Sequence, residues 1–312
     1  MKTNLKADEL SASITKAASR QTYYTVRFLV DRELVADAYK AYAYFRWVDD
    51  WLDEPTRPRD ERLAFVRRQS ELIEDGYQGK AVRAAGEEEE MLLALIQKDG
   101  EKDSGLQSYI RNMMATMAFD AERRGRMISS GELELYARRL AAAVTEALHY
   151  FIGHGSASPH GPERYLAAEG AHITHMLRDT LEDNELGYFN IPREYVEASG
   201  ISPLDTDSGA YRAWVKSRVR LARTCFQLGR KYLSQVQNLR CRLAGYAYMA
   251  RFETVLNFIE GDNYVLRQEY RASKGTAAGA QMGWSIFWSA IQNRHAMVKR
   301  GALAARWPGE SA

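Results

Sequence analysis

Apolar residues recur at intervals of three and four along nearly the whole chain, which is the period of one helix face, and strand-like alternation is nearly absent. The pattern predicts an all-α protein. Pro55, Pro58, Pro159, Pro162, Pro192, Pro203 and Pro308 all fall near gaps between the periodic segments. Thr22 to Val30 leads into Asp31, a predicted N-cap for a helix running to about Asp53, and Pro55 to Pro58 ends that helix. A second helix is expected over 59–76, with Leu63, Val66 and Leu72 inward. Glu87 to Glu90 read as a solvated first turn favoured by the helix dipole, continued by Met91 to Gln97. Two long helices follow over 105–126 and 130–152, then a loop over 153–162 and a helix from about Glu163 to Glu185. An irregular connection covers 186–208. Tyr211 to Val236 and Arg240 to Gly261 form the last strong helices, with a stop at Gly261-Asp262. Residues 283–300 are expected to form a terminal helix, with Trp284 and Trp288 as packing residues one turn apart. Residues 1–18, apart from a short helix, and 301–312 are expected to fray. No repeat, low-complexity stretch or long linker divides the chain, so 1–312 reads as one domain.

Composition narrows the class. The 312 residues are 46% hydrophobic, enough for one large core. The net charge of +2 comes without a basic stripe carrying interleaved aromatics, which argues against nucleic acid as a partner. Cys225 and Cys241 lie in helical sequence and read as packing residues of a reducing compartment. The opening MKTNLKADELSAS lacks the apolar core of a signal peptide, and no apolar run approaches the ~18 residues of a membrane span. The expectation is a soluble cytoplasmic protein, with peripheral membrane contact to collect a greasy substrate.

Two acidic clusters carry the chemistry. In Tyr44 to Glu54, YFRWVDDWLDE, Asp49 and Asp53 are four residues apart with Arg46 one turn earlier. In Arg178 to Pro192, RDTLEDNELGYFNIP, Asp179 and Asp183 repeat the spacing beside Arg178. On a helix each pair points one way. One such pair ordinarily decorates a solvated face. Two pairs, each beside an arginine, point to gripping Mg²⁺ ions that carry a phosphorylated ligand, since Mg²⁺ combines carboxylates, waters and phosphate oxygens.

With both clusters in hand, the chain resembles the squalene/phytoene synthase family over about residues 19–270. Thr22-Tyr23-Tyr24 resembles the family's opening Ser-Phe-Tyr. Tyr42 to Asp53, YAYFRWVDDWLD, resembles its Tyr-x-x-x-Arg-x-x-Asp-Asp-x-x-Asp. Phe119-Asp120 with Leu135-Tyr136 resembles its middle helix pair, and Arg178-Asp179 with Glu182-Asp183, Gly187 and Pro192 its second aspartate motif. The resemblance implies an all-α isoprenoid-synthase bundle around a central cavity. It implies that Asp49, Asp50, Asp53, Asp179 and Asp183 hold two or three Mg²⁺ ions, and that Arg46 and Arg178 meet diphosphate oxygens. Thr22, Tyr39, Phe45 and Glu146 are assigned to substrate binding, and Tyr42 to catalysis. Tyr39, Tyr42, Phe45 and Trp47 offer π faces to a carbocation, with core packing the plainer reading for Tyr39 and Trp47.

Departures from the family pattern are uneven. Where its second motif usually begins Gln-Leu-Thr-Asn, this chain has His172-Ile173-Thr174-His175. The usual Gly-Arg-x-Tyr-Leu-Pro becomes Gly187 to Pro192, GYFNIP, without the arginine. Val-Gly on the middle helix becomes Val144-Thr145, followed by Glu146, and Phe252 stands where a tyrosine is common. Positions 172, 175, 179 and 183 share a helix face. The ionising half is kept, while the half for a second prenyl diphosphate is rewritten with polar groups that need partners. A different second substrate explains this. An aromatic acceptor, such as a carbazole, that attacks a short allylic cation (dimethylallyl, for example) then loses a ring proton, which His172 or His175 could take. Alternatively the histidines hydrogen-bond the aspartates or reach a metal through water. The competing activity is head-to-head coupling of two prenyl diphosphates to phytoene or squalene, the latter adding NADPH. A non-catalytic relative would have eroded aspartates, and these are all present.

Overall fold

The computed structural model describes residues 2–270, and these form α-helices joined by short connections. The order is α1 (Lys2–Ala18), α2 (Arg20–Leu29), a 3₁₀ turn (Arg32–Leu34), α3 (Val35–Asp53), α4 (Arg59–Tyr77), α5 (Glu87–Lys98), α6 (Gly105–Arg123), α7 (Ser130–Phe151), a 3₁₀ turn (Pro162–Tyr165), α8 (Leu166–Glu185), α9 (Arg193–Ser199), α10 (Gly209–Leu233) and α11 (Leu239–Gly261). No strand occurs among the described residues. The expected helix over 283–300 and the expected fraying of 301–312 lie outside them.

Polar side chains fix the helix starts. Ser19, Ser104, Ser129, Ser208 and Asn238 each accept the backbone N–H of the third residue of α2, α6, α7, α10 and α11. At α7 the box is reciprocal, because Glu132 reaches back to the Ser129 N–H. The core runs through the bundle on Tyr44, Leu92, Ile110, Leu177, Val215, Val219, Met249 and Leu256, all fully buried. Cys225 and Cys241 are free and buried in it, as expected of packing residues.

α8 lies against α7, α10 and α11, and α3 against α1, α5 and α6. The approach of α10 to α8 requires Gly229, since a Cβ there would sit 2.8 Å from the Ala167 backbone. That contact sets the depth at which α8 presents its inner face.

Four local expectations are corrected. Residues 2–18 are not frayed: α1 is helical from Lys2 and packs on α3, burying Ser11 and Thr15 completely. Asp31 does not cap a helix. Its carboxylate accepts from the Gly153 and His154 amides (3.1 and 2.9 Å) and pairs with Arg240, tying the α2–α3 junction to the end of α7. Gly153 has φ +80°, and a Cβ there would collide with Asn238 at 2.1 Å. Glu89 leaves the solvated run. It is buried and accepts from Arg68, Gln69 and the Ala85 amide. Finally, the 186–208 connection contains α9, closed by Gly200 at φ +63°.

Candidate active site

Three helices carry two cavities in series. On α3, Ala38, Ala41 and Tyr42 line an apolar chamber, and Asp49, Leu52 and Asp53 line an acidic one. Tyr42 to Asp49 is seven residues, two turns along one face, or about 10 Å. α6 repeats the sequence with Tyr109 and Met113, then Met117 and Asp120. α7, antiparallel, reverses it with Tyr136 at the acidic end and Val144, Ala147 and Leu148 at the apolar end. α8 closes the acidic chamber with His172, His175, Asp179 and Asp183, while α2 and α11 close the apolar one with Thr22, Val26, Tyr248 and Arg251. The volumes are about 290 Å³ for the apolar chamber and about 250 Å³ for the acidic one.

Five carboxylates face the acidic chamber, and their electrostatics are unbalanced. Burial, then repulsion from Asp53, pushes Asp49 up to about 7. Burial raises Asp53 too, and burial raises Asp183 to about 7 with Asp179 adding to it. Asp179 differs. Burial acts to raise it, but hydrogen bonds from His175 (3.0 Å) and Arg178 (2.5 and 2.7 Å) outweigh that and hold it well below the carboxylate range. Arg46 pairs with Asp49 at 3.0 Å and with Asp50.

A network backs this wall. Tyr136 donates to Asp120 at 3.0 Å, Arg123 donates to Asp120 at 2.6 Å and to Asn190 at 2.9 Å, and Asn190 donates to Asp183 at 2.6 Å. Carboxylates crowded together in a partly closed chamber and short of cations are the donor set a divalent ion would relieve. Among the described residues, no three of the metal-ligating groups converge to enclose an ion on their own.

A model of the squalene/phytoene synthase family matches residues 15–276. The chain belongs to the squalene/phytoene synthase family. A presqualene diphosphate synthase of Zymomonas mobilis is 27% identical over 204 residues, covering 65% of this chain and 66% of that protein. Phytoene synthase 3 of Zea mays is 24% identical over 253 residues, covering 78% of this chain and 57% of that protein. The chain thus spans less than two thirds of the length of these relatives. In fold it is similar to a dehydrosqualene synthase (TM-score 0.70, 16% identity, 93% of this chain and 99% of that one) and to a squalene synthase from Alicyclobacillus acidocaldarius (TM-score 0.67, 18% identity, 86% and 98%). The all-α isoprenoid-synthase bundle expected from the sequence is the fold observed.

Of the residues singled out in this family member's sequence, Asp49, Asp53, His172, His175, Asp179 and Asp183 meet in the acidic chamber, and Thr22 and Tyr42 line the apolar one. Others sit elsewhere. Asp50 is exposed and paired with Arg46, outside both chambers. Tyr39 stacks on Tyr23 and donates to its carbonyl at 3.1 Å. Phe45 packs behind Tyr109, ring centres 5.3 Å apart, and Trp47 packs on Phe65. Glu146 is taken up by Arg164 and Tyr165. Side chains that sequence reasoning left unassigned include Asp120, Arg123, Tyr136, Tyr188, Asn190 and Arg251. Asp120 and Tyr136 stood in the matched motifs. Arg123 lies 4.9 Å from the Tyr188 ring, bringing a guanidinium beside the place where the usual arginine is missing.

Proposed function

We propose that the protein is a Mg²⁺-dependent prenyltransferase that ionises a short allylic diphosphate, such as dimethylallyl diphosphate, and transfers the prenyl group to an aromatic acceptor such as a carbazole. The size of the apolar chamber carries the reading. At about 30 Å³ for each small group, 290 Å³ accommodates about ten carbons. That is the size of a C5 or C10 chain.

Asp49, Asp53, Asp179 and Asp183, with Asp120 facing them, are the residues that would hold the metal. When bound, Mg²⁺ supplies the positive charge that stabilises a diphosphate leaving group. Arg46 and Arg178 add guanidinium charge at the rim, and His175 together with Arg178 orients Asp179. The apolar lining of the chamber disfavours water, the competing nucleophile, while the Tyr42 and Tyr109 rings line the path of the cation. In the transfer the allylic C–O bond breaks and its electron pair leaves with diphosphate. An acceptor ring carbon forms the new C–C bond with a pair of its π electrons, and the displaced ring proton passes to the departed diphosphate as the ring regains aromaticity.

The family relationship favours a second reading, head-to-head coupling of two prenyl diphosphates, with NADPH needed only if squalene is the end product. One product screen separates the two. Purified protein and Mg²⁺ are incubated with C5, C10, C15 and C20 allylic diphosphates, with and without indoles, carbazoles and phenols. The expected result is an acceptor-dependent product from C5 or C10 donors. A C30 or C40 hydrocarbon made without acceptor overturns the transferase reading.

A further inference from the structure

The two histidines of α8 are in different states. His175 is committed, its Nε2 lying 3.0 Å from the Asp179 carboxylate, with half of its side chain exposed. His172, one turn earlier, is 5% exposed, and neither Nδ1 nor Nε2 has a hydrogen-bond partner. Among the described residues it is the buried side chain left with two unpaired polar atoms. The groups around it are engaged elsewhere. The Tyr136 hydroxyl donates to Asp120, Arg123 donates to Asp120 and Asn190, and the Thr174 hydroxyl donates to the Gly170 carbonyl. A buried polar group without a partner destabilises the fold, and apolar replacements of similar shape would relieve it.

The surroundings define what would complete it. His172 lines the acidic chamber beside Met176 and lies 5.0 Å, ring to ring, from Tyr136. Burial, followed by the nearby His175, Arg123 and Arg218, pushes its imidazole down to about 3, so at neutral pH it offers one acceptor nitrogen and one N–H. A prenyl chain has no polar hydrogen to give. Both nitrogens are closed to water as the ring is placed, so a ligand reaches one of them as the imidazole turns toward the chamber, and a flat ring bearing an O–H or N–H supplies the hydrogen that nitrogen lacks.

We propose that His172 is the specificity-determining residue for the second substrate, accepting a hydrogen bond from an O–H or N–H on the ring of the aromatic acceptor. The inference rests on the transferase reading and narrows its acceptor class to phenols, hydroxycarbazoles and heteroaromatics with a free N–H. The acceptor that leaves this nitrogen unpaired is rejected, as sites built to bond a polar hydrogen reject analogues lacking it.

Binding tests this without turnover. The full chain, with Mg²⁺ and inorganic diphosphate, is titrated with 2-naphthol and its methyl ether, and with carbazole and N-methylcarbazole, by quenching of tryptophan fluorescence. The wild type is expected to favour each parent over its methylated analogue by about tenfold. His172→Phe is expected to abolish the preference, and His172→Gln to restore it in part. His172→Leu serves if the phenylalanine does not fold. Affinity for Mg²⁺-diphosphate alone is expected to be unchanged in all three. A preference that survives in His172→Phe, or its absence in the wild type, overturns the assignment, and weakened diphosphate binding assigns His172 to the donor instead. Prenylated product without this preference sinks the His172 proposal alone, whereas the preference without any prenylated product sinks the transferase reading alone.

Discussion

Arg164 holds Glu146 with two edges of its guanidinium, Nε to Oε1 at 2.7 Å and Nη2 to Oε2 at 2.9 Å. Tyr165 donates to the same carboxylate at 3.0 Å, while Arg164 also reaches Ser158 at 2.6 Å and Tyr232 at 3.1 Å. The pair therefore fastens the 153–165 segment to α7 and α10. Glu146→Gln leaves a buried guanidinium without its counter-charge, so a loss of about 3 kcal/mol is expected. The urea midpoint should fall accordingly, with the rate per folded molecule near wild type. A stable variant that binds acceptor poorly would return Glu146 to the substrate.

The acidic chamber trades stability for charge. Asp49 is held near Asp53 and Asp120 in a partly desolvated setting that disfavours its anion. Asp49→Asn removes that repulsion, so in metal-free buffer the variant is expected to be more stable, by about 1 kcal/mol. Mg²⁺-dependent diphosphate release should fall by about a thousandfold, the scale of a lost metal contribution to the transition state. Thermal melts in chelator and a diphosphate-release assay check both halves. Retained release would remove Asp49 from the metal site.

These residues also mark how far the sequence could be read. The long helices were legible because a wide apolar stripe leaves a clear period, and the aspartates because their four-residue spacing and flanking arginines are local. α1 was hidden because it buries Ser11 and Thr15 rather than aliphatics. Asp31 is a common N-cap residue, but its partners at Gly153, His154 and Arg240 lie over 100 positions away. Glu146 was misplaced although a signal existed. Val144, Ala147, Leu148 and Phe151 line the chamber, and at 100° per residue Glu146 points about 150° from their mean direction. Tyr39 points about 110° from the mean direction of the lining residues Ala38, Ala41 and Tyr42, whereas Phe45 shares their direction and is kept off the wall by Tyr109, against which its ring packs. His172 needed coordinates, because only neighbours from other helices determine whether its nitrogens are paired.

Chamber length should set the donor. Ala41 and Ala147 are small and line the apolar wall, and Phe151 stands at its far end. Ala147→Leu is expected to cut the C10:C5 ratio of kcat/KM by about tenfold, the scale of a methylene or two in an apolar pocket. Phe151→Ala should raise that ratio and admit C15. A donor preference unmoved by either change would place the prenyl chain outside this chamber.

Acid should weaken the fold through two imidazoles. Burial pushes His149 down to about 4, with Arg164 and His160 adding to the effect and Glu146 opposing it, and burial pushes His172 down to about 3. His149 is held at Nε2 by the Tyr232 hydroxyl at 3.0 Å and lies beside the Cys241 thiol. Between those values and the ordinary 6.5, the unfolded chain binds protons that the folded chain does not, so stability rises with pH. It is complete above about 6.5 and declines as the pH falls toward 4, by about 1 kcal/mol for each imidazole between pH 7.5 and about pH 5.5. Asp49 and Asp183, held up at about 7, act in the opposite direction over the same interval, so the imidazole contribution is read by difference: His149→Gln should lie further below the wild-type urea midpoint at pH 7.5 than at pH 5.5, by the equivalent of about 1 kcal/mol. A variant whose midpoint keeps the full pH dependence would show that His149 takes up its proton in the folded state, so that the imidazole is open to water from the Tyr232 side.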